Sequence, residues 1–339
     1  MIGIFTAALF LVHMLMQLPA GRFSDRLGPA RVCAAGLVVM ALGNVLASIA
    51  PETWLALSSR ALLGIGTALG FIGGSDFVRA SGGSPFAQGL YGGLATAGGG
   101  VALAVVPALE PSLDWRAPYL SAVGIALVAG ALLVAAPRPS RPRRAEGSRP
   151  PLRSLASDGR LRRLAVVFAA SFGLSVVIAN WVVTLLERET SASSEAAGLI
   201  GALTLVLGIV SRPLGGWILA RHPSRVRGAI VAAALAGAAG ALMLATGSRS
   251  LAVVGALVVG LAAGISFAPA FSGAAALHPD APATAIGFVN AAGALTILAG
   301  TALAGVAFAA DRGVEAFVVL AALWAASALA TPAPRSRSG

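Results

Sequence analysis

The stretch Gly21–Arg31 reads GRFSDRLGPAR and lies between two long apolar runs. Gly28 permits a tight turn between antiparallel helices, and Gly21 lets a neighbouring helix approach closely because it has no side chain. Asp25 is placed to face the positive N-terminus of another helix. The stretch therefore predicts a polar loop that joins two antiparallel apolar helices.

The composition places these apolar runs in a membrane. Of 339 residues, 57% are hydrophobic and 11% are charged, and the mean hydropathy is +0.87. Soluble domains carry roughly 25% charged residues, so a soluble fold is disfavoured. All 24 basic residues are arginine, and with 13 acidic residues the formal net charge is +11. Because the arginines lie in short loops between apolar runs, they indicate the positive-inside rule and not nucleic-acid binding.

A bilayer core needs about 20 apolar residues per helix, and this length divides the chain into about eleven spans. The predicted spans are 2–19, 32–50, 54–77, 88–109, 117–136, 164–186, 196–219, 228–247, 251–273, 284–309 and 314–331. Two classes of loop alternate between them. The basic class is predicted to be cytoplasmic and contains the segment 137–163 and Arg22, Arg26, Arg31, Arg79, Arg221, Arg225, Arg227, Arg335 and Arg337.

The segment 137–163 is rich in Pro, Ser and Arg and too poor in apolar residues to form a packed core. It predicts a cytoplasmic linker between two helical bundles, 1–136 and 164–331, with a cytoplasmic tail at 332–339. The loop charges place Met1 outside the cell, whereas a protein of two equal halves has both termini inside. One N-terminal helix is therefore expected to be missing. A signal peptide is disfavoured because no basic region precedes the first apolar run.

Two motifs resemble those of the major facilitator superfamily. Gly21–Arg31 is similar to its cytoplasmic signature between helices 2 and 3, and Arg60–Gly66 (RALLGIG) is similar to its arginine followed by closely spaced glycines. A weaker copy of the first motif occupies Arg212–Arg221 (RPLGGWILAR). The resemblance covers essentially the whole chain. It implies an all-α membrane fold of two pseudo-symmetric bundles around a central cavity.

The resemblance also implies a gate. In the family this cluster latches one conformation of the cytoplasmic gate, and here Asp76 is the expected partner of Arg22 or Arg26. The alternative role for Asp76 is a proton site. The predicted gating residues are Gly21, Arg22, Asp25, Arg26, Gly28, Arg31, Asp76 and Arg60.

Arg212 is the leading candidate for the charge partner of a substrate. It lies within an apolar span, with Gly208 and Thr204 one and two turns earlier on the same face. A charge inside a membrane indicates function, and a planar guanidinium suits an anion such as nitrate or a carboxylate. The alternative is that Arg212 reaches the cytoplasmic interface and extends the gate.

The run Ser211–Trp217 resembles the arginine segment in helix 8 of the nitrate/nitrite porter family, and Gly92–Gly100 resembles the glycine-rich helix 5 of that family. Those porters pair two arginines across the cavity, but Gln17 occupies the first of these positions here. A substrate with one negative charge and a hydrogen-bonding remainder is therefore expected in place of nitrate. Close helix packing is the alternative reason for the glycines.

Further polar residues are candidates for the cavity wall. His13 and Gln17 lie four residues apart on one face of a span, and imidazole gains and loses a proton near physiological pH, which makes His13 a candidate for a coupling proton. The alternative for each polar residue is a hydrogen bond that joins helices. The predicted substrate-binding residues are Arg212, Gln17, His13, Thr204, Asn180, Thr184 and Asn290.

No catalytic or phosphate-binding motif is present and Cys33 is the only cysteine, so no enzymatic activity, cofactor or metal site is expected. The sequence predicts a monomeric secondary active transporter of a small solute, a small anion above all, which works by alternating access in the bacterial cytoplasmic membrane. Its expected partners are the substrate, a coupling proton or ion, and the lipid bilayer. The alternatives are an exporter of apolar or cationic compounds and a transport-incompetent sensor or scaffold.

Overall fold

The computed structural model describes residues 2–50, 52–137, 139, 151–190 and 192–332. Over these ranges the chain forms helices and no strands. The α-helices are α1 (Ile2–Leu27), α2 (Pro29–Ser48), α3 (Thr53–Ala80), α4 (Pro85–Leu113), α5 (Ala117–Ala135), α6 (Leu152–Ser157), α7 (Gly159–Phe168), α8 (Ser175–Thr190), α9 (Ser194–Val206), α10 (Gly208–Arg221), α11 (Val226–Leu244), α12 (Arg249–Gly264), α13 (Phe267–Leu277), α14 (Pro282–Ala309) and α15 (Gly313–Ala326). A π-helical segment, Ala169–Leu174, joins α7 to α8.

Nine helical stretches in the described part of the chain are long and apolar enough to cross a membrane. They contain 18 to 32 residues, with mean hydropathies between 1.6 and 2.4. A helix of about 20 residues spans about 30 Å, the thickness of the hydrocarbon core. The predicted all-α membrane protein is therefore confirmed, while the number of about eleven crossings stays a prediction.

The stretch GRFSDRLGPAR is mostly helical, which corrects the prediction of a loop. Helix α1 continues through Arg26 to Leu27, and α2 begins at Pro29. Only Gly28 interrupts the helices, with φ 92° and ψ 148°, a conformation that residues with a side chain rarely adopt. Pro29 starts the next helix, where its missing N–H is not needed. The polar side chains of this stretch consequently project from the end of a helix.

The first long helix of the second half begins earlier than predicted, within the segment 137–163. Helix α7 begins at Gly159, because Asp158 caps it. Asp158 Oδ1 accepts hydrogen bonds from the backbone N–H groups of Arg160 at 2.8 Å and Leu161 at 3.2 Å. A polar cap and an arginine-rich first turn therefore precede the apolar part of the helix. Apolar runs alone do not indicate this start.

Contacts group the chain into two compact units. Unit 1 comprises Met1–Gly83, Gly98–Leu155 and Ala275–Ala291, and unit 2 comprises Ser84–Ala97, Ala156–Ala274 and Ala292–Gly339. The units follow packing, so the first part of α4 and the first part of α14 each join helices that are distant in sequence. The predicted bundles 1–136 and 164–331 stay a prediction. Residues 138 and 140–150 of the predicted linker and 333–339 of the predicted tail lie outside the described residues.

Glycines bring α2 and α3 together within unit 1. A methyl group on Gly73 would lie 2.5 Å from the backbone nitrogen of Cys33, and one on Gly66 would lie 2.7 Å from the backbone nitrogen of Met40. Lipid tails are as apolar as leucine, so close van der Waals packing has a large share in holding membrane helices together. These glycines permit that packing.

Aromatic rings pack within the largely aliphatic core of unit 2. Trp324 in α15 is fully buried, and a methyl group on Gly237 in α11 would lie 2.5 Å from its indole ring. Trp181 stacks on Phe308 with 4.7 Å between ring centroids, and Phe317 meets the same ring edge-on at 6.3 Å. The ring contacts pack α8 and the start of α15 against the end of α14.

Candidate functional site

Arg212 lies in α10 within unit 2, and only 4% of it is exposed. Its guanidinium carbon lies 4.9 Å from the ring centroid of Phe172 and 4.6 Å from that of Phe267. Both distances are within the range of about 6 Å for attraction between a cation and an aromatic face. The guanidinium is held against two rings inside unit 2, and whether it binds substrate or belongs to the gate stays a prediction.

The guanidinium of Arg212 makes one hydrogen bond. Its Nη1 donates to the carbonyl oxygen of Gly92 in α4 at 2.7 Å. A guanidinium carries five N–H donors, and the side chain has no other hydrogen bond in the described part of the chain. No carboxylate there lies within ion-pair distance of Arg212. The site therefore holds a buried positive charge with spare donors and with no carboxylate partner among the described residues.

Interruptions of helical geometry place the two rings. The π-helical segment Ala169–Leu174 contains Phe172, and the break between α12 and α13 directly precedes Phe267. Hydroxyl groups of Ser171 and Ser266 contact each other and tie these two irregular regions together. A third break, between α9 and α10, lies one turn before the arginine. Irregular turns inside helices frequently occur at functional sites.

Glycines of α4 bring that helix against α10. A methyl group on Gly89 would clash with the backbone carbonyl of Arg212, and one on Gly93 would lie 3.1 Å from Cα of Ile209. Gly92, between them, supplies the carbonyl that accepts from the guanidinium. The first part of the glycine-rich run thus packs two helices, and the same close approach places a backbone acceptor at the arginine.

Two of the other three substrate-binding candidates of unit 2 have hydrogen-bond partners of their own. Thr204 is buried and donates to the carbonyl of Gly201 at 2.6 Å, within its own helix. Asn180 donates to the hydroxyl of Thr301 at 3.0 Å. Thr184 is half-buried in α8. These contacts do not join the three residues to the arginine, and their roles as substrate ligands stay predictions.

Four polar side chains form a continuous chain through α3, α1 and α14 in unit 1. His13 Nδ1 lies 2.9 Å from Thr67 Oγ1, and His13 Nε2 lies 2.6 Å from Gln17 Nε2. Asn290 Nδ2 donates to Gln17 Oε1 at 2.9 Å. Gln17 and Asn290 are buried. The structure therefore joins three of the predicted residues to one another and adds Thr67; we call Thr67, His13, Gln17 and Asn290 the polar chain.

The donors and acceptors of the polar chain are consistent with a neutral imidazole. The Gln17 amide donates to His13 Nε2, so the ring proton is assigned to Nδ1, which donates to Thr67. The Thr67 hydroxyl in turn donates to the carbonyl of Gly64 at 3.1 Å. Every member has a partner, as buried polar groups require.

Asp25 caps the N-terminus of α14 within unit 1. Its carboxylate accepts from the backbone N–H groups of Ala283 at 3.1 Å and Thr284 at 2.9 Å, and from the Thr284 hydroxyl at 2.6 Å. Gly21 lies beside this contact, since a methyl group there would be 2.5 Å from the Ala283 carbonyl oxygen. The predicted meeting of Asp25 with a helix N-terminus is present, and its gating role stays a proposal.

The partner of Asp76 differs from the prediction. Asp76 Oδ1 pairs with Arg79 Nη2 at 2.6 Å, and Oδ2 accepts from Ser24 Oγ at 2.7 Å. Arg22 and Arg26 are not its ion-pair partners. Arg79 lies three residues later on the same helix, so it reaches the carboxylate without crossing to α1.

The remaining gating candidates differ in exposure and in their partners. Arg26 and Arg31 are exposed and Arg22 is half-buried. Gly28 acts through its backbone at the break between α1 and α2. Arg60 lies in the first half of α3 and donates to Tyr119 at 3.3 Å.

Sequence reasoning missed Phe172, Phe267, Thr67 and Thr284. Thr284 was detectable, because Pro282 two residues earlier marks the start of a helix whose free N–H groups attract a carboxylate. The two phenylalanines carry no comparable signal. Their orientation depends on a π-helical turn and a helix break that apolar periodicity does not reveal.

The family profile described as Major Facilitator Superfamily matches residues 1–301. A search of curated proteins gives no match. Solved structures of similar fold include a variant of the Escherichia coli fucose:proton symporter FucP, with 19% identity, a TM-score of 0.76 and coverage of 97% of this chain and 89% of that one. The human organic anion transporter MFSD10 (TETRAN) has 20% identity, a TM-score of 0.76 and coverage of 97% and 83%. FucP in an outward conformation has 19% identity, a TM-score of 0.75 and coverage of 97% and 88%. At these identities the likeness is one of fold.

Proposed function

The chain belongs to the major facilitator superfamily, and on this premise we propose that it is a secondary transporter of a small organic anion with one carboxylate. The observation that carries the proposal is the buried guanidinium of Arg212, which has no carboxylate partner among the described residues. Bound substrate would supply the missing negative charge.

The buried charge of Arg212 carries a desolvation penalty. An ion moved from water into an apolar interior loses several kcal/mol of solvation unless a partner compensates it. The rings of Phe172 and Phe267 and the carbonyl of Gly92 offset part of this penalty, but they carry no net charge. An arrangement that leaves one charge uncompensated stabilises an anion that enters it.

The donor geometry favours a carboxylate. One N–H of the Arg212 guanidinium is taken by Gly92, and the aromatic faces accept no conventional hydrogen bond. The remaining donors form a planar fork that matches the two oxygens of a carboxylate. A single guanidinium balances a single negative charge, which favours monocarboxylates over dianions.

The cap of Asp25 on α14 is proposed as the latch of the gate. Three hydrogen bonds hold the end of α1 to the start of α14, and Gly21 allows the two backbones to touch. Separation of these helix ends requires the carboxylate to release all three donors at once. Such a contact has two discrete states, which a gate needs.

The polar chain is proposed as the site of a coupling proton. A proton added to His13 Nε2 would face the amide nitrogen of Gln17, so the Gln17 amide would have to turn its oxygen towards the ring. Its nitrogen would then face the amide nitrogen of Asn290, which would have to turn as well. Protonation in α1 would thereby change the hydrogen bond between α1 and α14.

The test is uptake of radiolabelled monocarboxylates such as acetate, lactate and benzoate into proteoliposomes with an imposed pH gradient. Arg212→Gln is expected to lower uptake roughly 100-fold, the size typical of removing one member of a buried charge pair. Arg221→Gln is the matched control, because Arg221 ends the same helix and is exposed. It is expected to transport at the wild-type rate.

Unchanged uptake by Arg212→Gln would refute the role of the arginine. Efflux of a cationic dye by the wild-type protein, with no flux of any carboxylate, would favour an exporter. A folded protein that moves no tested solute would favour a sensor or scaffold. Placement in the bacterial cytoplasmic membrane and a monomeric state stay predictions; the first is testable by membrane fractionation and the second by light scattering in detergent.

A further inference from the structure

Unit 1 contains a cavity of about 480 Å³ that is separate from Arg212 and from the polar chain. It lies where α1 and α3 begin, α2 ends and α5 begins. Its lining includes the aromatic side chains Phe5, Phe10, Trp115 and Tyr119, together with the guanidinium of Arg60. Ligand sites typically measure about 300–1,000 Å³ and combine apolar walls with a few polar groups. The size and lining of this cavity fit that description.

Among the described residues, no acidic side chain forms an ion pair with Arg60. Its Nη2 donates to the Tyr119 hydroxyl at 3.3 Å, a long hydrogen bond, and its guanidinium carbon lies 5.6 Å from the centre of the same ring. Acidic residues occur at this end of the unit, at Glu52, Glu110 and Asp114, yet none of them is an ion-pair partner of Arg60. Most of its five N–H donors are therefore available to a ligand.

The aromatic side chains Trp115 and Tyr119 of the cavity wall are held in place by a second arginine. Arg116 stacks on Trp115 with 4.7 Å between its guanidinium carbon and the ring centroid, and its Nε donates to the carbonyl of Ser48 at 3.1 Å. Trp115 in turn meets Tyr119 edge-on at 6.2 Å. These contacts tie the turn before α5 to the end of α2, so the wall is preorganised to receive a ligand.

We propose that this cavity binds an amphipathic anion, with the anionic group on Arg60 and an apolar or aromatic body against Phe5, Phe10 and Trp115. A cation at the edge of an aromatic cavity is complementary to a molecule that has a charged head and an apolar body. Two sources share this chemistry: a free arylalkyl carboxylate, and the headgroup of an anionic lipid. The site is independent of the proposed transport site.

The test uses 3-phenylpropanoate as the probe and its neutral amide as the control ligand, with full-length protein in phosphatidylcholine nanodiscs. Quenching of tryptophan fluorescence is expected for the carboxylate and to be at least about tenfold weaker for the amide. Arg60→Gln is expected to raise the dissociation constant of the quenching that depends on Trp115 at least about tenfold. Arg212→Gln, which removes only the proposed transport site, is expected to leave the dissociation constant of this Trp115 signal unchanged. Trp115→Phe is expected to remove most of the signal while binding, measured by calorimetry, persists.

Equal affinity of wild type and Arg60→Gln for 3-phenylpropanoate, or no binding by either, would overturn the proposal. Loss of binding in Arg212→Gln alone would place the ligand at the transport site and overturn it as well. Because Arg60→Gln removes a half-buried charge, its thermal unfolding is compared with wild type, and Arg60→Lys, which keeps the charge, is expected to retain part of the affinity. If phosphatidylglycerol in the nanodisc competes with the probe, the natural occupant is a lipid; if it does not, it is a free carboxylate.

Discussion

Asp25 and Thr284 are joined twice, through the backbone N–H of Thr284 at 2.9 Å and through its hydroxyl at 2.6 Å. With the N–H of Ala283, the carboxylate satisfies donors in the first turn of α14 that have no partner within the helix. The negative charge also lies at the positive end of that helix. One carboxylate thus connects the end of α1 with the start of α14.

Removal of this cap should destabilise the protein. Asp25→Ala is expected to lower the free energy of unfolding by about 1–2 kcal/mol, the usual effect of losing a helix cap, and Asp25→Asn by less because an amide oxygen still accepts. Thermal unfolding in detergent measures the change. Glu189→Ala is the control, since Glu189 is exposed near the end of α8 and its side chain has no ion pair among the described residues. Equal stability of Asp25→Ala and wild type would contradict a stabilising cap.

The close approach at Gly21 predicts a steric effect. A methyl group on Gly21 would lie 2.5 Å from the Ala283 carbonyl oxygen and 2.6 Å from Cα of Thr284. Gly21→Ala is therefore expected to destabilise the protein by about 1–3 kcal/mol through overpacking. Gly124→Ala in α5, where a methyl group meets no atom within 4 Å, should not destabilise it. If both variants unfold at the wild-type temperature, the backbones of α1 and α14 are not in contact at this point.

The polar chain predicts a non-additive pair of substitutions. Gln17→Met removes two hydrogen bonds and leaves buried groups of His13 and Asn290 without partners, at about 1–3 kcal/mol for each. The double variant Gln17→Met/Asn290→Leu should lose less stability than the two single variants added together, because no unpaired Asn290 amide remains. Denaturant unfolding of the four proteins gives the interaction free energy. Strict additivity would show that the two amides are not coupled.

The planar guanidinium of Arg212 predicts that the shape of this side chain, and not its charge alone, determines the KM for substrate. Arg212→Lys keeps a positive charge but lacks the planar fork, so KM for a monocarboxylate should rise about tenfold while the protein stays folded. Initial uptake rates over a range of substrate concentrations measure this change, and Arg221→Lys should leave KM as it is. An unchanged KM in Arg212→Lys would indicate that substrate binding depends on the charge of residue 212 alone.

Much of the fold could be predicted from the sequence because membrane helices depend on local composition. Apolar runs of bilayer length determine where helices form, whatever surrounds them. The turn at Gly28 could also be predicted from the sequence, and so could a helix N-terminus as the partner of Asp25. Each follows from the chemistry of a single residue type. Arg212 was recognised by the same reasoning, as a charge within an apolar run.

Partners across helices could not be predicted in the same way. Asp76 was expected to pair with Arg22 or Arg26, yet it binds Arg79 and Ser24. Arg79 lies three residues later on the same helix and meets the carboxylate whatever the rotation of α3, whereas Ser24 on α1 meets it only because α3 turns Asp76 towards α1. Helix rotation depends on how all the neighbouring side chains pack.

The sequence by itself determined the class of protein, the approximate helices and the residue types that can hold a charge or a cap, because these depend on local composition and on the chemistry of single residues. Only the tertiary structure decided that Phe172 and Phe267 lie against Arg212, that Gly92 offers its carbonyl to the guanidinium, and that Gln17 links His13 to Asn290. These contacts join residues far apart in the chain. Their geometry follows from helix breaks and from close packing at glycines. The energies of both depend on neighbouring helices, which a local stretch of sequence does not specify.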